Sequence, residues 1–420
     1  MATDNISLDF LRNILKEEYP DVTIQHFEYA PATGPGDSFT STIYRVFLFG
    51  TQKHLETDSE QPWQASIIWK QLPNHEVMRK AFRPVYITEF NFFQNIWPAL
   101  NKFQRTLNLK SPFSSLPKCL FANDETVVLE DLKPEGYVMI DKSQGLTFEQ
   151  CYMILKKLAH YHALSLAMKS KNPKMFYKLS DYIPEALFTK ENHNMYQEFC
   201  LGMANEGISM MEQEFSGSED KKIYLEKLRK FCSEDSYFDS LMKQIAAKEP
   251  LAVVTHGDCW VNNFMFKHED DRIVDVYLID FQQARYTSLA MDLVLVLYTC
   301  MKRDHRAEHL PALLRHYSDT LHRRVVEMVG EDSMFLNNVD EDGLYELVQQ
   351  ELKRCVPFGF GMSLNLLPIM TMRSDEALAQ SKQSNGDNAS EKSLTVTSSS
   401  PECRRRLAEL LIDIVDSGLL

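Results

Sequence analysis

The chain has 420 residues, with 45 lysines plus arginines against 59 aspartates plus glutamates, a net charge of −14. Such a length exceeds one simple core and points to two or three lobes or domains, and 44% apolar with 25% charged residues is the composition of a folded globular protein. The acidic balance argues against a general nucleic-acid binder, which needs a basic surface to release counterions. The N-terminus, Met1-Ala2-Thr3-Asp4-Asn5-Ile6-Ser7, has neither the basic nor the apolar region of a secretory signal. Helical spacing of Leu8, Leu11, Ile14 and Leu15 predicts a helix from Ser7, its N-cap, to Glu18. Strand-like runs follow at Val22 to Tyr29, Thr42 to Phe49 and Ala65 to Trp69, the first two separated by a turn-rich loop from Pro31 to Ser38. Residues 76–103 read as helix, with Pro98 ending its main part, and Val127-Val128-Leu129 reads as a further strand.

From about residue 147 the pattern becomes helical: Cys151, Ile154, Leu155, Leu158, His162 and Leu166 share one face. Helical sequence also fills most of 184–248, 289–330 and 341–358, interrupted by two short apolar runs, Leu251 to Val254 and Val274 to Ile279, read as a hairpin-like pair. Residues 374–401 are polar and read as a mobile loop that includes the Ser-rich stretch 393–400, and an amphipathic segment from Arg404 to Val415 packs back on the body. No apolar run reaches the roughly 18 residues of a membrane span; the most apolar stretch, Leu289 to Cys300, carries Asp292. Eight scattered cysteines without a C-x-x-C pair read as reduced thiols, which makes a cytoplasmic protein the expectation and the sequons at Asn5 and Asn388 chance matches.

The chemistry concentrates around the two short strands. His256-Gly257-Asp258-Cys259-Trp260-Val261-Asn262-Asn263 follows the first, and seventeen residues after Asn263 the second ends in Ile279-Asp280-Phe281. The pattern H-G-D-x-x-x-x-N plus a strand-end aspartate has the spacing of a kinase catalytic loop and its metal-binding aspartate. Phosphoryl transfer from ATP needs a carboxylate that orients the attacking hydroxyl and takes its proton, the role of Asp258, and oxygen ligands for Mg2+, the role of Asn263 and Asp280. Either tripeptide alone could be an ordinary turn or a capping aspartate; the two together are far more specific. Asn262 lacks the five-residue spacing and reads as a loop residue, and Cys259 and Trp260 as packing.

Upstream, Lys70 ends the run Ser66-Ile67-Ile68-Trp69 as a phosphate-pairing lysine would, and Glu89 lies on the following helix as its partner. The competing readings are a solvated strand-end lysine and one exposed helix glutamate among several, Glu76 included. Gly34-Pro35-Gly36-Asp37-Ser38 could cover phosphates with backbone N–H groups, although Phe39 stands where a third glycine would be.

These residues resemble the ecdysteroid kinase-like family of insects, within the choline-kinase and aminoglycoside-phosphotransferase group. The resemblance rests on Gly36-Asp37-Ser38-Phe39-Thr40-Ser41 before Ile43-Tyr44-Arg45-Val46, on Ile68-Trp69-Lys70-Gln71-Leu72-Pro73, and on Glu89 with Phe92-Phe93. It extends through Leu129-Glu130-Asp131-Leu132, Leu158-Ala159-His160-Tyr161-His162-Ala163, the two motifs above and Met291-Asp292-Leu293. It implies an α+β, two-lobed protein-kinase-like fold, with a β-rich lobe over residues 1–133 and a helical lobe over 134–420. It implies Asp258 as catalytic base, Asn263 and Asp280 as Mg2+ ligands, and Gly36, Ser38, Lys70, Glu89, Glu130 and Leu132 as the ATP site, with adenine at the backbone of 130–132. His162 resembles a family position but reads equally as a satisfied buried histidine, and Asp292 as a brace of the catalytic loop or a helix cap. Ser38 replaces the asparagine often found there, which leaves the phosphate-loop contacts open.

No segment ending in A-P-E follows Asp280, so there is no platform for a peptide, and a small-molecule alcohol is the expected acceptor. The family suggests an ecdysteroid or xenobiotic alcohol, its body held by 170–250 and the helices after 300. The alternatives are a cationic alcohol of the choline or aminoglycoside type, a catalytically silent binding protein, and a protein kinase.

Overall fold

The computed structural model describes residues 6–34, 41–54, 59–73, 76–190, 193–233, 237–330, 339–373, 376, 398 and 400–420. Helix α1 (Leu8–Leu15) starts where expected, with Ser7 Oγ accepting the Phe10 N–H at 3.2 Å. It covers one face of an antiparallel sheet built from β1 (Val22–Pro31), β2 (Thr42–Lys53) and β3 (Glu60–Gln71), followed after two helices by β4 (Cys119–Ala122) and β5 (Thr126–Glu130), in the order β1-β2-β3-β5-β4. Alternation along β3 decides where the chemistry goes. Ile67 and Trp69 bury under α1 with Leu11, Leu15, Val46 and Val128, so Ile68 and Lys70 emerge on the opposite face. On that face lies α2 (Glu76–Asn91), tied to the strand by the Tyr86 hydroxyl, which donates to the Lys70 carbonyl at 2.7 Å.

Pro98 does not end this helical region. Residues Phe92–Ile96 form a π-turn, and Pro98 lies in the first turn of α3 (Trp97–Arg105), where a missing N–H costs nothing.

The rest of the chain is mainly helical. The central helix α4 (Phe148–Lys171) opens with a Thr147–Gln150 capping box and is buried on nearly all sides between residues 151 and 168. Around it pack α5 (Pro173–Ser180), α6 (His193–Glu214), α7 (Lys222–Phe231) and α8 (Tyr237–Ile245), then α9 (Ala290–Val294), α10 (Arg303–Val329) and α11 (Glu341–Thr371). The last helix, α12 (Pro401–Asp416), begins three residues before the expected start. The predicted mobile loop 374–401 falls almost wholly outside the described residues, as does the Ser-rich stretch within it.

The two apolar runs of this lobe do not pair with each other. Strand β7 (Ala252–Thr255) pairs with β10 (Arg285–Ser288), while β9 (Arg272–Leu278) forms a hairpin with β8 (Phe264–Glu269), which β6 (Tyr137–Val138) extends. The hairpin turns at Asp270 and Asp271, whose φ values of 47° and 63° suit a tight two-residue loop. Strands β8 and β10 escaped the sequence reading because each is short and half polar, and β8 begins directly on Asn263.

Candidate active site

The catalytic-loop motif forms a tight bend between β7 and β8. Gly257 has φ 83°, and a Cβ there would lie 1.8 Å from the Gln283 carbonyl oxygen, so no other residue fits without moving the backbone. Asp292, on α9 and fully buried, holds the bend from behind. Its Oδ2 accepts the His256 N–H at 2.8 Å and its Oδ1 the Gly257 N–H at 2.8 Å. The same Oδ2 lies 3.0 Å from His162 Nε2, and His162 Nδ1 lies 2.7 Å from the Tyr317 hydroxyl. The partners assign the tautomer: Nε2–H faces the carboxylate and Nδ1 accepts from Tyr317. Burial raises the Asp292 carboxyl, but the His162 bond, the two imidazoles and the Gly257 N–H hold it below its ordinary value. Both open readings thus close: Asp292 braces the loop, and His162 is a satisfied buried histidine that braces Asp292.

His256 turns inward. Its Nε2 donates to the Ile279 carbonyl at 2.9 Å, its Nδ1 accepts the Asp258 N–H at 3.3 Å, and burial lowers its pKa and favours the neutral ring. Across the gap, the Ile279 N–H donates to the Asn263 carbonyl at 3.0 Å. These bonds staple the end of β9 to the loop and fix Asp280 beside Asp258. Phe281 then stacks on Phe92 of the π-turn, ring centroids 4.0 Å apart, and lies 4.5 Å from the His256 ring.

Asp258 is buried, with Oδ2 accepting from Asn263 Nδ2 at 2.9 Å; the same amide donates to the Asp258 carbonyl at 2.8 Å. Burial, and after it the nearby Asp280 charge, push the Asp258 carboxyl up to about 7, against the pull of hydrogen bonds from Asn263 and Gln282. Asp280 sits at φ 68°, a left-handed conformation rare outside glycine, with its side chain partly exposed.

Lys70 reaches these residues from the N-terminal sheet. Its Nζ lies 2.6 Å from Asp280 Oδ1 and 2.6 Å from Glu89 Oε2, with Lys70 and Glu89 both buried. Burial alone would lower the lysine pKa, yet the two carboxylates raise it above the ordinary value and keep the ammonium charged. For Glu89, burial is the larger influence and pushes its carboxyl up against the pull of Lys70. Glu89 is therefore the lysine's partner, and neither residue takes its solvated reading.

The hinge predicted at Glu130 and Leu132 connects β5 to the helical part. Glu130 accepts the Lys118 N–H through Oε1 at 2.9 Å, and the Leu132 carbonyl accepts from Glu135 and Tyr137 N–H groups at 3.2 and 3.3 Å. Between them, Asp131 receives Arg45 in a bidentate pair (2.7 and 3.3 Å) and the Ser66 hydroxyl at 2.7 Å, tying β2 and β3 to the hinge. Gly36 and Ser38 lie outside the described residues. The structure thus brings Lys70, Glu89, Asp258, Asn263 and Asp280 to one place. Asn262 is buried beside them, its Nδ2 without a hydrogen-bond partner among the described residues.

Sequence reasoning missed Arg285. It is buried, pairs with Glu185 Oε2 at 3.2 Å and donates to the Gln283 carbonyl at 3.1 Å. With Glu185 it lines a cavity of about 310 Å³ whose other walls include Ile183, Phe188, Met242 and Ile245. Its only advance signal was position, in the polar run just after Asp280.

A β-sheet lobe that delivers a Lys–Glu pair onto a loop and strand-end aspartate of a helical lobe defines a two-lobed protein-kinase-like fold. The chain belongs to the ecdysteroid kinase-like family, whose model matches residues 35–330. No curated protein matches it. Among solved structures, the GDP complex of wild-type aminoglycoside 2'-phosphotransferase-IIIa is 13% identical, covering 91% of this chain and 100% of that one, with a TM-score of 0.40. The streptomycin–ATP ternary complex of APH(2")-IIa is 14% identical over 83% of this chain and 91% of that one, with a TM-score of 0.33. Likeness at that level adds nothing to what the chain's own geometry shows.

Proposed function

We propose that the protein is an ATP-dependent kinase that phosphorylates a hydroxyl of a small neutral alcohol, of the ecdysteroid or xenobiotic kind. The observation that carries this reading is Lys70 Nζ at 2.6 Å from both Glu89 and Asp280, which joins parts of the chain 210 residues apart beside a buried Asp258. Asp258 orients the acceptor hydroxyl and takes its proton as the oxygen–phosphorus bond forms, the β–γ bridging bond breaks and ADP leaves. Lys70 pairs with the phosphates, Glu89 aims it, and adenine meets the hinge at Glu130 and Leu132. Because the Leu132 carbonyl is already taken, the group it offers is its N–H. Gly36 and Ser38 complete the phosphate contacts. The two lobes divide at 133, a boundary supported by β5 pairing in the N-terminal sheet and β6 in the C-terminal one.

Mg2+ fits the donor set. Asn263 spends its amide nitrogen on Asp258, which leaves its oxygen end for a cation, and Asp280 adds a carboxylate, both hard oxygens. Magnesium keeps waters and phosphate oxygens as its other ligands, so two protein oxygens suffice. When bound, it neutralises charge developing on the phosphates.

What supports a neutral acceptor is the cavity beside Arg285. Ile183, Phe188, Met242 and Ile245 share its walls with polar groups, and the one carboxylate among its described lining residues, Glu185, is already paired. A volume of about 310 Å³ is at the lower end for a drug-sized ligand. The test is γ-labelled ATP with a lipid-soluble extract, with an aminoglycoside and choline panel, and with a protein lysate, comparing wild type with Asp258→Asn. Label appears in the extract with wild type alone. Transfer to the cationic panel or to protein overturns the acceptor class, and equal transfer by both proteins overturns the base.

A further inference from the structure

Helix α2 carries Glu89 and is held from both lobes. On the sheet side, the Tyr86 hydroxyl donates to the carbonyl of Lys70 itself at 2.7 Å. At the C-terminal end, Phe92 of the π-turn stacks on Phe281, the residue after Asp280. A third hold lies nearer the start of the helix and comes from the helical lobe. The hydroxyl of Tyr196, in the first turn of α6, donates to the Ala81 carbonyl at 2.9 Å across 115 residues of sequence.

Pro84 explains why that carbonyl takes an outside donor. A proline inside a helix offers no N–H to the carbonyl four residues back and pushes it aside, which loosens the ladder over the same turn. Four back from Pro84 is Lys80, and Ala81 is next to it. Helix α2 is therefore short of internal bonds at the turn that Tyr196 holds. Ala81, Val85, Glu89 and Phe92 follow at helical spacing along its buried side, with Ala81 about 12 Å along the axis from Glu89. Holds at Ala81 and at Phe92 fix the direction of the helix, and Glu89 lies between them. Its carboxylate reaches Lys70 at 2.6 Å and is fully buried, so water cannot make up for a misplaced pair.

We infer, on the kinase reading above, that Tyr196 is a positioning residue: its hydroxyl ties α2 to the helical lobe at Ala81 and so sets Glu89 against Lys70. Burial, and after it the neighbouring Cys200 and Glu185, raise the Tyr196 pKa, so the hydroxyl keeps its proton and stays a donor. Glu185 and Phe188 belong to the cavity beside Arg285, and α6 begins soon after them. The tie thus leaves from the same segment that walls the proposed acceptor site.

The experiment compares wild type with Tyr196→Phe, which keeps the ring and removes the hydroxyl, in the transfer of label from γ-labelled ATP to the lipid-soluble extract. The maximal rate should fall about three- to tenfold, the worth of one hydrogen bond. Tm should drop by no more than about 3 °C, and the amount of extract giving half the maximal rate should not change. In a Glu89→Gln background Tyr196→Phe should have no further effect, because the hydroxyl acts through Glu89. Should Glu89→Gln transfer too slowly to measure, the same four proteins are compared by the Kd of magnesium-ATP in calorimetry, where Tyr196→Phe should weaken binding only when Glu89 is present. Equal maximal rates in wild type and Tyr196→Phe, or an undiminished effect in the Glu89→Gln background, overturn the inference. So does a change confined to the half-maximal amount of extract, which assigns Tyr196 to the acceptor wall. Each of these leaves the kinase reading standing, whereas no transfer by wild type removes both.

Discussion

The two lobes hold their halves of the site by different physics. The helical lobe fixes Asp258 through directed hydrogen bonds and sterics: backbone N–H groups on a buried Asp292 carboxylate, a glycine that nothing else can replace, and a histidine stapled to a carbonyl. The sheet lobe delivers Lys70 by strand alternation and then holds its ammonium between two carboxylates, Glu89 and Asp280. The first arrangement is rigid because its polar atoms are paired and buried. The second is an ion pair, which under the proposed function the phosphates of ATP would share or replace. The difference teaches which half is built to stay and which to respond.

Four changes would break or sharpen that contrast. The largest effect is expected for Asp258→Asn, which should lower kcat by roughly two to four orders of magnitude while leaving the unfolding midpoint nearly unchanged; steady-state kinetics and calorimetry together check it. Next, Asp292→Ala leaves two backbone N–H groups and His162 without their acceptor, and urea unfolding should show a loss of about 3–5 kcal/mol. If activity survives that change intact, the loop is not held from behind as described.

The third change concerns pH. The Asp292 carboxyl is held below its ordinary value in the folded protein, so its stabilisation is fully present above the unfolded value of about 3.9. It is lost as pH falls through the lower folded value. The stability gap between wild type and Asp292→Asn should therefore be constant at neutral pH and close on acidification below about 4, read by urea unfolding across that range. A gap that widens in acid would reverse the sign and remove the brace. The smallest effect belongs to the sheet lobe: Ser7→Ala removes an N-cap and should cost about 1 kcal/mol without altering kcat.

Much of this was legible in the sequence because the informative residues sit at pattern breaks. Lys70 and Asp280 each end an apolar strand, and Asp258 and Asn263 share one loop. Glu89 was harder, since nothing in a helical pattern separates one glutamate from another until the strand face is known. The strand pairing was misread because apolar runs announce burial but not partners. Strands β8 and β10 are too short and too polar to signal, yet they are what β9 and β7 pair with. Arg285 was illegible for a related reason. A single arginine declares its chemistry only when the fold removes its solvent, and that depends on helices far away in sequence.

The staple between His256, Ile279 and Asn263 has a consequence for how this chain can vary. Because these bonds set the distance between Asp258 and Asp280, the sixteen residues between Asn263 and Asp280 do not. The hairpin that spans them turns at Asp270 and Asp271, away from the staple, and can grow or shrink there with its base unmoved. The interval between the two motifs is thus a free variable, and a relative with a longer hairpin would keep the same site while failing any search that insists on the spacing.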